Sequence, residues 1–297
     1  MLNQQDNDIL SRVGRGTPGG ELMRQYWLPV AMSSELPGPD CAPLRVRLLG
    51  EDLVAFRDTS GAVGLIGAHC PHRGAALFFG RNEQNGLRCI YHGWKFDRTG
   101  RCVDMANAPG IPLKDRLKHT AYPCVERAHL VWTYMGPMDP PPPLPKLPCM
   151  DLPDDHVVVY KHYWETNWMQ ALEGNIDPTH GAYLHANIDP ELRAATDAKV
   201  LTVADLYFQT QGWNFDTLEL GHAAMVAAWR AMDEKRNYWR INTFLLPCFA
   251  NAPTATGEDP AGNIFFYVPN DDGHCFHYGV TWHGMRPLNA QIGRAHV

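Results

Sequence analysis

Cys70 and His72 stand one residue apart from contact, as Cys-x-His, and Cys89 and His92 form Cys-x-x-His, with sixteen residues between His72 and Cys89. Each loop, Cys70-Pro71-His72-Arg73-Gly74-Ala75 and Cys89-Ile90-Tyr91-His92-Gly93-Trp94, supplies one thiolate and one imidazole. A zinc knuckle uses the same four residue types. Zinc loops, however, usually pair like ligands, C-x-x-C with H-x-H. Two mixed loops can instead place both sulfurs on one iron of a [2Fe-2S] cluster and both imidazoles on the other. Gly74 and Gly93 leave the backbone bare beside the ligands, so that amide N–H groups can approach bridging sulfides. The cluster is the favoured reading, and its chemistry is electron transfer.

A second constellation follows about ninety residues on. Asp177-Pro178-Thr179-His180 and then His185 read D-x-x-H-x-x-x-x-H. Two neutral imidazoles and one carboxylate on one face, with the other face open, are the ligand set of mononuclear non-haem Fe(II) sites that activate O₂. Histidines five apart diverge by about 140° on a regular α-helix. The spacing therefore predicts an irregular stretch over 181–184, such as a π-turn that returns both rings to one face. Asp177 also fits a helix N-cap ahead of Pro178. Glu173 lies about 10 Å along the helix from His180, too far to share its iron.

These residues need two domains to hold them, and 297 residues with 45% apolar content are enough for two cores. Two short helical stretches open the chain around the breaker 14–20, the second ending at Trp27-Leu28-Pro29. Short alternating segments, including 44–49, 53–56 and 131–134, then predict an all-β region. The run Asp139-Pro140-Pro141-Pro142-Pro143-Leu144-Pro145 has too few backbone donors for a central strand and marks a boundary. Beyond it, 157–160 predicts a strand and 167–184 a mostly helical stretch. Segments 238–249, 264–268 and 276–282 predict antiparallel strands, the last two joined by a turn at 270–273. The expected organisation is a helical segment 1–28, the cluster domain 29–138, a Pro-rich linker 139–149 and an iron domain 150–291. The overall class is α+β.

The chain resembles the Rieske non-haem iron oxygenases, the alpha subunits of aromatic-ring-hydroxylating systems, and closely their phthalate 4,5-dioxygenase-like branch. The resemblance runs over about 8–286 and is carried by Ala68-His69-Cys70-Pro71-His72-Arg73-Gly74-Ala75, by Leu87-Arg88-Cys89-Ile90-Tyr91-His92-Gly93-Trp94-Lys95-Phe96 and by Asn167-Trp168-Met169-Gln170-Ala171-Leu172-Glu173-Gly174. Rieske proteins of respiratory complexes carry an extra cysteine in each loop and a serine after His-Gly. Here Ala75, Tyr91 and Trp94 stand at those places, which is the oxygenase type. The missing hydroxyl at Trp94 predicts a low cluster potential.

The resemblance implies an N-terminal all-β Rieske [2Fe-2S] domain and an incomplete helix-grip catalytic domain, an antiparallel sheet with helices. It implies Cys70, His72, Cys89 and His92 as cluster ligands and His180 and His185 as ligands of a mononuclear Fe(II). It implies Asp177 as an electron-transfer bridge to a Rieske histidine of a neighbouring subunit in a homotrimer or a multiple of it. The third iron ligand, a carboxylate, is expected beyond residue 297. The final Ile292-Gly293-Arg294-Ala295-His296-Val297 matches the translation of a common sequencing-library adapter and is expected to be an artefact.

The implied reaction uses O₂ and electrons from an NAD(P)H-dependent reductase on an aromatic, carboxylated substrate. Dioxygenation, monooxygenation and O-demethylation all remain open. Competing readings are a Rieske ferredoxin-type electron carrier, which leaves Asp177, His180 and His185 unexplained, and an inert fragment of the oxygenase. A net charge of -6 predicts neither a nucleic-acid nor a membrane partner. No segment is long and apolar enough for a spanning helix, so a cytoplasmic protein is expected. The six cysteines outside the loops are expected to be reduced and to serve as small hydrophobes.

Overall fold

A computed structural model of the chain describes residues 2–110, 112–184, 212–253 and 260–288. Asn3 caps α1 (Gln4–Ser11), and Thr17 caps α2 (Pro18–Arg24) with its hydroxyl accepting from the Gly20 N–H. The second helix thus starts inside the expected breaker, because Thr-Pro is a start signal that outweighs the glycines behind it. It also ends earlier than expected, and Trp27 already belongs to a strand.

The N-terminal half contains β1 (Trp27–Met32), β2 (Leu44–Leu48), β3 (Glu51–Arg57), β4 (Val63–Gly67), β5 (Arg81–Glu83), β6 (Gly86–Arg88), β7 (Trp94–Phe96), β8 (Cys102–Met105), β9 (Ala121–Tyr122), β10 (Cys124–Arg127) and β11 (Leu130–Tyr134). Period-two patterning shows in β2, where Val46 and Leu48 are buried while Arg45 and Arg47 face solvent. Among the described residues these strands form three antiparallel sheets, ordered β1-β11-β10, β2-β3-β4-β9 and β5-β6-β7-β8. The third sheet frames the second ligand loop, which lies between β6 and β7.

The C-terminal half contains β12 (Val157–Trp164), α3 (Trp168–Ile176), α4 (Gly181–Leu184), β13 (Asn214–Glu219), β14 (Ala223–Ala231), β15 (Asn237–Leu245), β16 (Phe249–Asn251), β17 (Ala261–Pro269) and β18 (Cys275–His283). Its described strands form one antiparallel sheet ordered β12-β18-β17-β16-β15-β14-β13. The helix α3 buries Trp168, Ala171 and Leu172 and packs on β15, β16 and β17. The helical stretch expected over 167–184 is broken in two at Asp177-Pro178, since Pro178 has no N–H to continue the ladder.

The Pro-rich linker separates the halves along the chain but not in space, for one hydrophobic core runs through both. Trp132 of β11 is fully buried and meets Phe249 and Phe266 edge-on, at 6.2 and 5.3 Å between ring centroids. Burying a ring of this size contributes roughly 2–3 kcal/mol. Lys161 of β12 also pairs with Glu35, and Arg47 of β2 with Asp271. All eight cysteines are free thiols, and of the six outside the loops Cys102, Cys149, Cys248 and Cys275 are buried. Among the described residues no helix is long and apolar enough to cross a membrane.

Candidate metal centres

The loops bearing Cys70-His72 and Cys89-His92 close on the second core cluster, built from Val54, Phe56, Ile66, Leu77, Leu87 and Phe96. Cys70 and Cys89 are 3% and 2% exposed, and the Cys89 thiol lies close enough to act on that of Cys70. The His72 and His92 rings meet 4.6 Å apart between centroids at the half-exposed rim. The four side chains thus come together as a buried thiol pair and an outer imidazole pair. That is the partition a two-iron cluster requires, with sulfur on the inner iron and nitrogen on the outer.

The protonation chemistry fits a cluster as well. Burial, with Cys89 alongside, pushes the Cys70 thiol up to about 11, so a bound cation is what makes it a thiolate at neutral pH. His72 is held below its ordinary value by burial and by the neighbouring His92 and Arg73, which keeps the ring in the neutral form a ligand needs. His72 Nδ1 is buried and has no hydrogen-bond partner in the protein. A buried nitrogen without a partner is costly unless a metal takes its lone pair.

Each loop is closed by its own backbone. The Cys70 N–H donates to Ala75 O at 2.8 Å and the Gly74 N–H to Cys70 O at 2.9 Å. In the second loop the Cys89 N–H donates to Trp94 O at 2.8 Å and the Gly93 N–H to Cys89 O at 3.0 Å. The Gly74 and Gly93 amides themselves are therefore spent on closing the loops. What the glycines contribute is conformation, with φ of +70° and +78°. A Cβ at Gly93 would also stand 2.7 Å from the Ala106 Cβ.

Two supports were invisible in the motif. Arg88, 9% exposed, binds Glu83 at 2.6 Å, Asp104 at 2.7 Å and Gly93 O at 2.8 Å, tying the second loop to β5 and β8. Trp94 stacks on His72 and its Nε1–H donates to Asn107 Oδ1 at 2.9 Å. Neither Asp104 nor Asn107 carries a spacing that sequence reasoning could read.

In the C-terminal half, Asp177 follows the last residue of α3. Its Oδ1 accepts from the Thr179 N–H at 2.8 Å and the Thr179 hydroxyl at 2.7 Å, and its Oδ2 from the His180 N–H at 3.2 Å. The carboxylate therefore caps the turn into α4, as the N-cap reading anticipated. His180 Nδ1 lies 2.9 Å from Asp177 O and 3.4 Å from Asp177 Oδ2. Partial burial pushes the Asp177 carboxyl up, but the hydrogen bonds from Thr179 and His180 outweigh it and hold the group below its ordinary value.

The stretch 181–184 is a regular α-turn, with the Leu184 N–H donating to His180 O at 2.8 Å, and not the irregular segment expected. The turn is free to be regular because the break falls earlier, at Pro178. His185 lies outside the described residues. Among the described residues no group of three or more His, Cys, Asp or Glu side chains is placed to hold one metal ion. What the described residues show of the expected second site is the Asp177-His180 pair, a carboxylate and an imidazole fixed to each other.

Residues 26–117 match the Rieske [2Fe-2S] domain family, and residues 133–295 match the family described as LigXa C-terminal domain like. The chain is 41% identical over 289 residues to the 3-chlorobenzoate-3,4-dioxygenase oxygenase subunit of Comamonas testosteroni, covering 96% of this chain and 65% of that protein. It is 36% identical over 302 residues to the phthalate 4,5-dioxygenase oxygenase subunit of Pseudomonas putida, covering 95% of this chain and 64% of the relative. The chain thus spans just under two thirds of the length of these relatives. Its fold is similar to that of the oxygenase in a reduced complex of oxygenase and ferredoxin from carbazole 1,9a-dioxygenase, with a TM-score of 0.66 at 21% identity over 94% of this chain and 75% of that one.

Proposed function

The chain belongs to the Rieske non-haem iron oxygenases, and from that premise we propose that it is the electron-receiving and iron-binding part of an oxygenase component acting on an aromatic, carboxylated substrate. The observation that carries the proposal is the paired geometry of the first centre: two buried thiols behind two half-exposed imidazoles. A Rieske [2Fe-2S] cluster and a mononuclear iron, when bound, supply one-electron transfer and O₂ activation. The residues of the chain do the rest.

Cys70 and Cys89 hold the buried pole, away from water. His72 and His92 form the outer edge, where an electron enters or leaves, and Trp94 keeps the His72 ring in one plane. Tyr91, 62% exposed, lies 3.9 Å from His92 between ring centroids and extends this edge towards a partner. In the second half, Asp177 holds the turn that presents His180, and its carboxylate is within reach of an imidazole proton. His185 and a carboxylate complete the proposed ligand set.

The electron donor we propose is an NAD(P)H-dependent reductase or a ferredoxin served by one, and the assembly a head-to-tail homotrimer or a multiple of it. In that ring Asp177 accepts a hydrogen bond from a Rieske histidine of the next subunit and from His180, joining the two centres. The unpaired state of all eight cysteines supports a reducing, cytoplasmic location. The test is reconstitution of the full-length protein with Fe(II) and sulfide, followed by single turnover of the reduced protein with O₂ and substituted benzoates. An oxygenated product formed at the expense of the reduced cluster is the expected result. Cluster oxidation without product across that panel would favour an electron carrier.

A further inference from the structure

The break at Asp177-Pro178 leaves α3 with carbonyls that its own backbone cannot satisfy. The last turn of a helix needs donors from the residues that follow it. Gly174 O would be met by residue 178, but Pro178 has no N–H. Asn175 O would be met by Thr179, whose N–H is instead given to the Asp177 carboxylate. The turn that places the carboxylate thereby removes the cap from the helix that carries it.

The missing donor comes from the sheet. Asn242 of β15 is fully buried, and its Nδ2 donates to Asn175 O at 3.0 Å. Its Oδ1 is buried without a partner. An amide buried with one end unpaired costs stability that an apolar side chain of the same size would not. Packing alone does not account for Asn242, whereas the donated bond does.

We propose that Asn242 is a positioning residue for the iron site: it caps α3 at Asn175 and so sets the height of the Asp177-His180 turn over the sheet. The assignment of that turn to iron rests on the function proposed above, while the cap itself does not. The residue acts through Asn175 and touches neither Asp177 nor a reacting group. Because β15 is an inner strand, paired on both sides, the turn is referenced to the sheet and not to a loop.

The test compares Asn242→Leu with Asn242→Gln, which keeps an N–H donor, in the iron-loaded full chain. Hydrogen exchange of the amides at 177 and 179–184 is expected to accelerate about tenfold in Asn242→Leu, as loss of one buried hydrogen bond implies, with less than about twofold change in β17 and β18. The electron paramagnetic resonance of the nitrosyl complex at the mononuclear iron is expected to broaden in Asn242→Leu, and Asn242→Gln should restore both readouts towards wild type. Unchanged exchange at 177–184, or equal acceleration through β14, β17 and β18, overturns the proposal. Should Asn242→Leu fail to fold, Asn242→Ala removes the donor without adding volume or charge and carries the comparison. A wild-type chain that takes up no Fe(II) while the exchange difference persists supports the cap and counts only against the iron assignment of His180.

Discussion

The His72 imidazole lies face to face on the Trp94 indole, with ring centroids 4.4 Å apart and planes 7° from parallel. The stack joins a ligand of the first loop to the residue that closes the second, so each loop restrains the other. Because Asn107 anchors the indole N–H, the plane of His72 is held by a residue that no ligand motif includes. Trp94→Leu is expected to leave all four ligands present but to weaken cluster retention against a chelator about tenfold, the lower range for an outer-shell residue of a metal site. Cluster absorbance followed during chelation measures this, and wild-type retention would remove Trp94 from that role.

Replacing Cys70 or Cys89 by serine, or His72 or His92 by alanine, is expected to abolish the Rieske-type electron paramagnetic resonance signal of the reduced protein. The paired arrangement gives no spare ligand at either pole. A wild-type protein that binds zinc and holds no acid-labile sulfide would show the tetrad to be a zinc knuckle.

Removal of one imidazole at the second centre should act there alone. His180→Ala is expected to lower iron content by about one atom per chain while the Rieske spectrum is unchanged, since the two sets of candidate ligands lie in different halves of the chain, on the loops around β6 and β7 and at the turn before α4. Iron analysis together with the reduced spectrum separates the two centres.

Asp177→Asn tests two roles at once. The carboxylate accepts from Thr179 and His180, and an asparagine retains only one acceptor oxygen. A loss of well under about 1 kcal/mol is expected from the cap, since asparagine caps nearly as well as aspartate and only one of the two accepting oxygens is lost. If Asp177 also bridges subunits, single-turnover transfer from reduced cluster to iron should slow far more than that cost implies, with cluster potential unchanged. Loss of stability with a wild-type transfer rate would leave the residue as a cap only.

A buried histidine sets a pH dependence of stability. His277 lies 7% exposed among Trp164, Tyr267 and Phe265, and burial, reinforced by the neighbouring His162, brings it down to about 4. Its folded value lies below the ordinary 6.5 of the unfolded chain, so the unfolded state binds the extra proton between those limits. Its contribution is fully present above pH 6.5 and is lost as pH falls towards 4, by at most about 3 kcal/mol. His277→Phe should flatten the stability profile over that window in denaturant titrations. An unchanged slope would show that other groups set it.

The parts that short stretches of sequence determine are those in which cause and effect are neighbours. Cys70-x-His72 and Cys89-x-x-His92 are readable because a ligand loop of a few residues carries its donors and its turn glycines together. The antiparallel pairing of β17 with β18 was readable for the same reason, through its short turn and alternating faces. The Asp177 cap followed from an aspartate directly before a proline. Tertiary structure alone decided what depends on residues remote in the chain: the shared core at Trp132 and Phe266, the spending of the Gly74 and Gly93 amides on their own loops, and the reach of Asn242 to Asn175 across 67 residues. A single asparagine on a strand looks like any other polar residue until the helix end it faces is known to lack a donor. That lack arises only when Pro178 and the Asp177 carboxylate have together taken the helix's own.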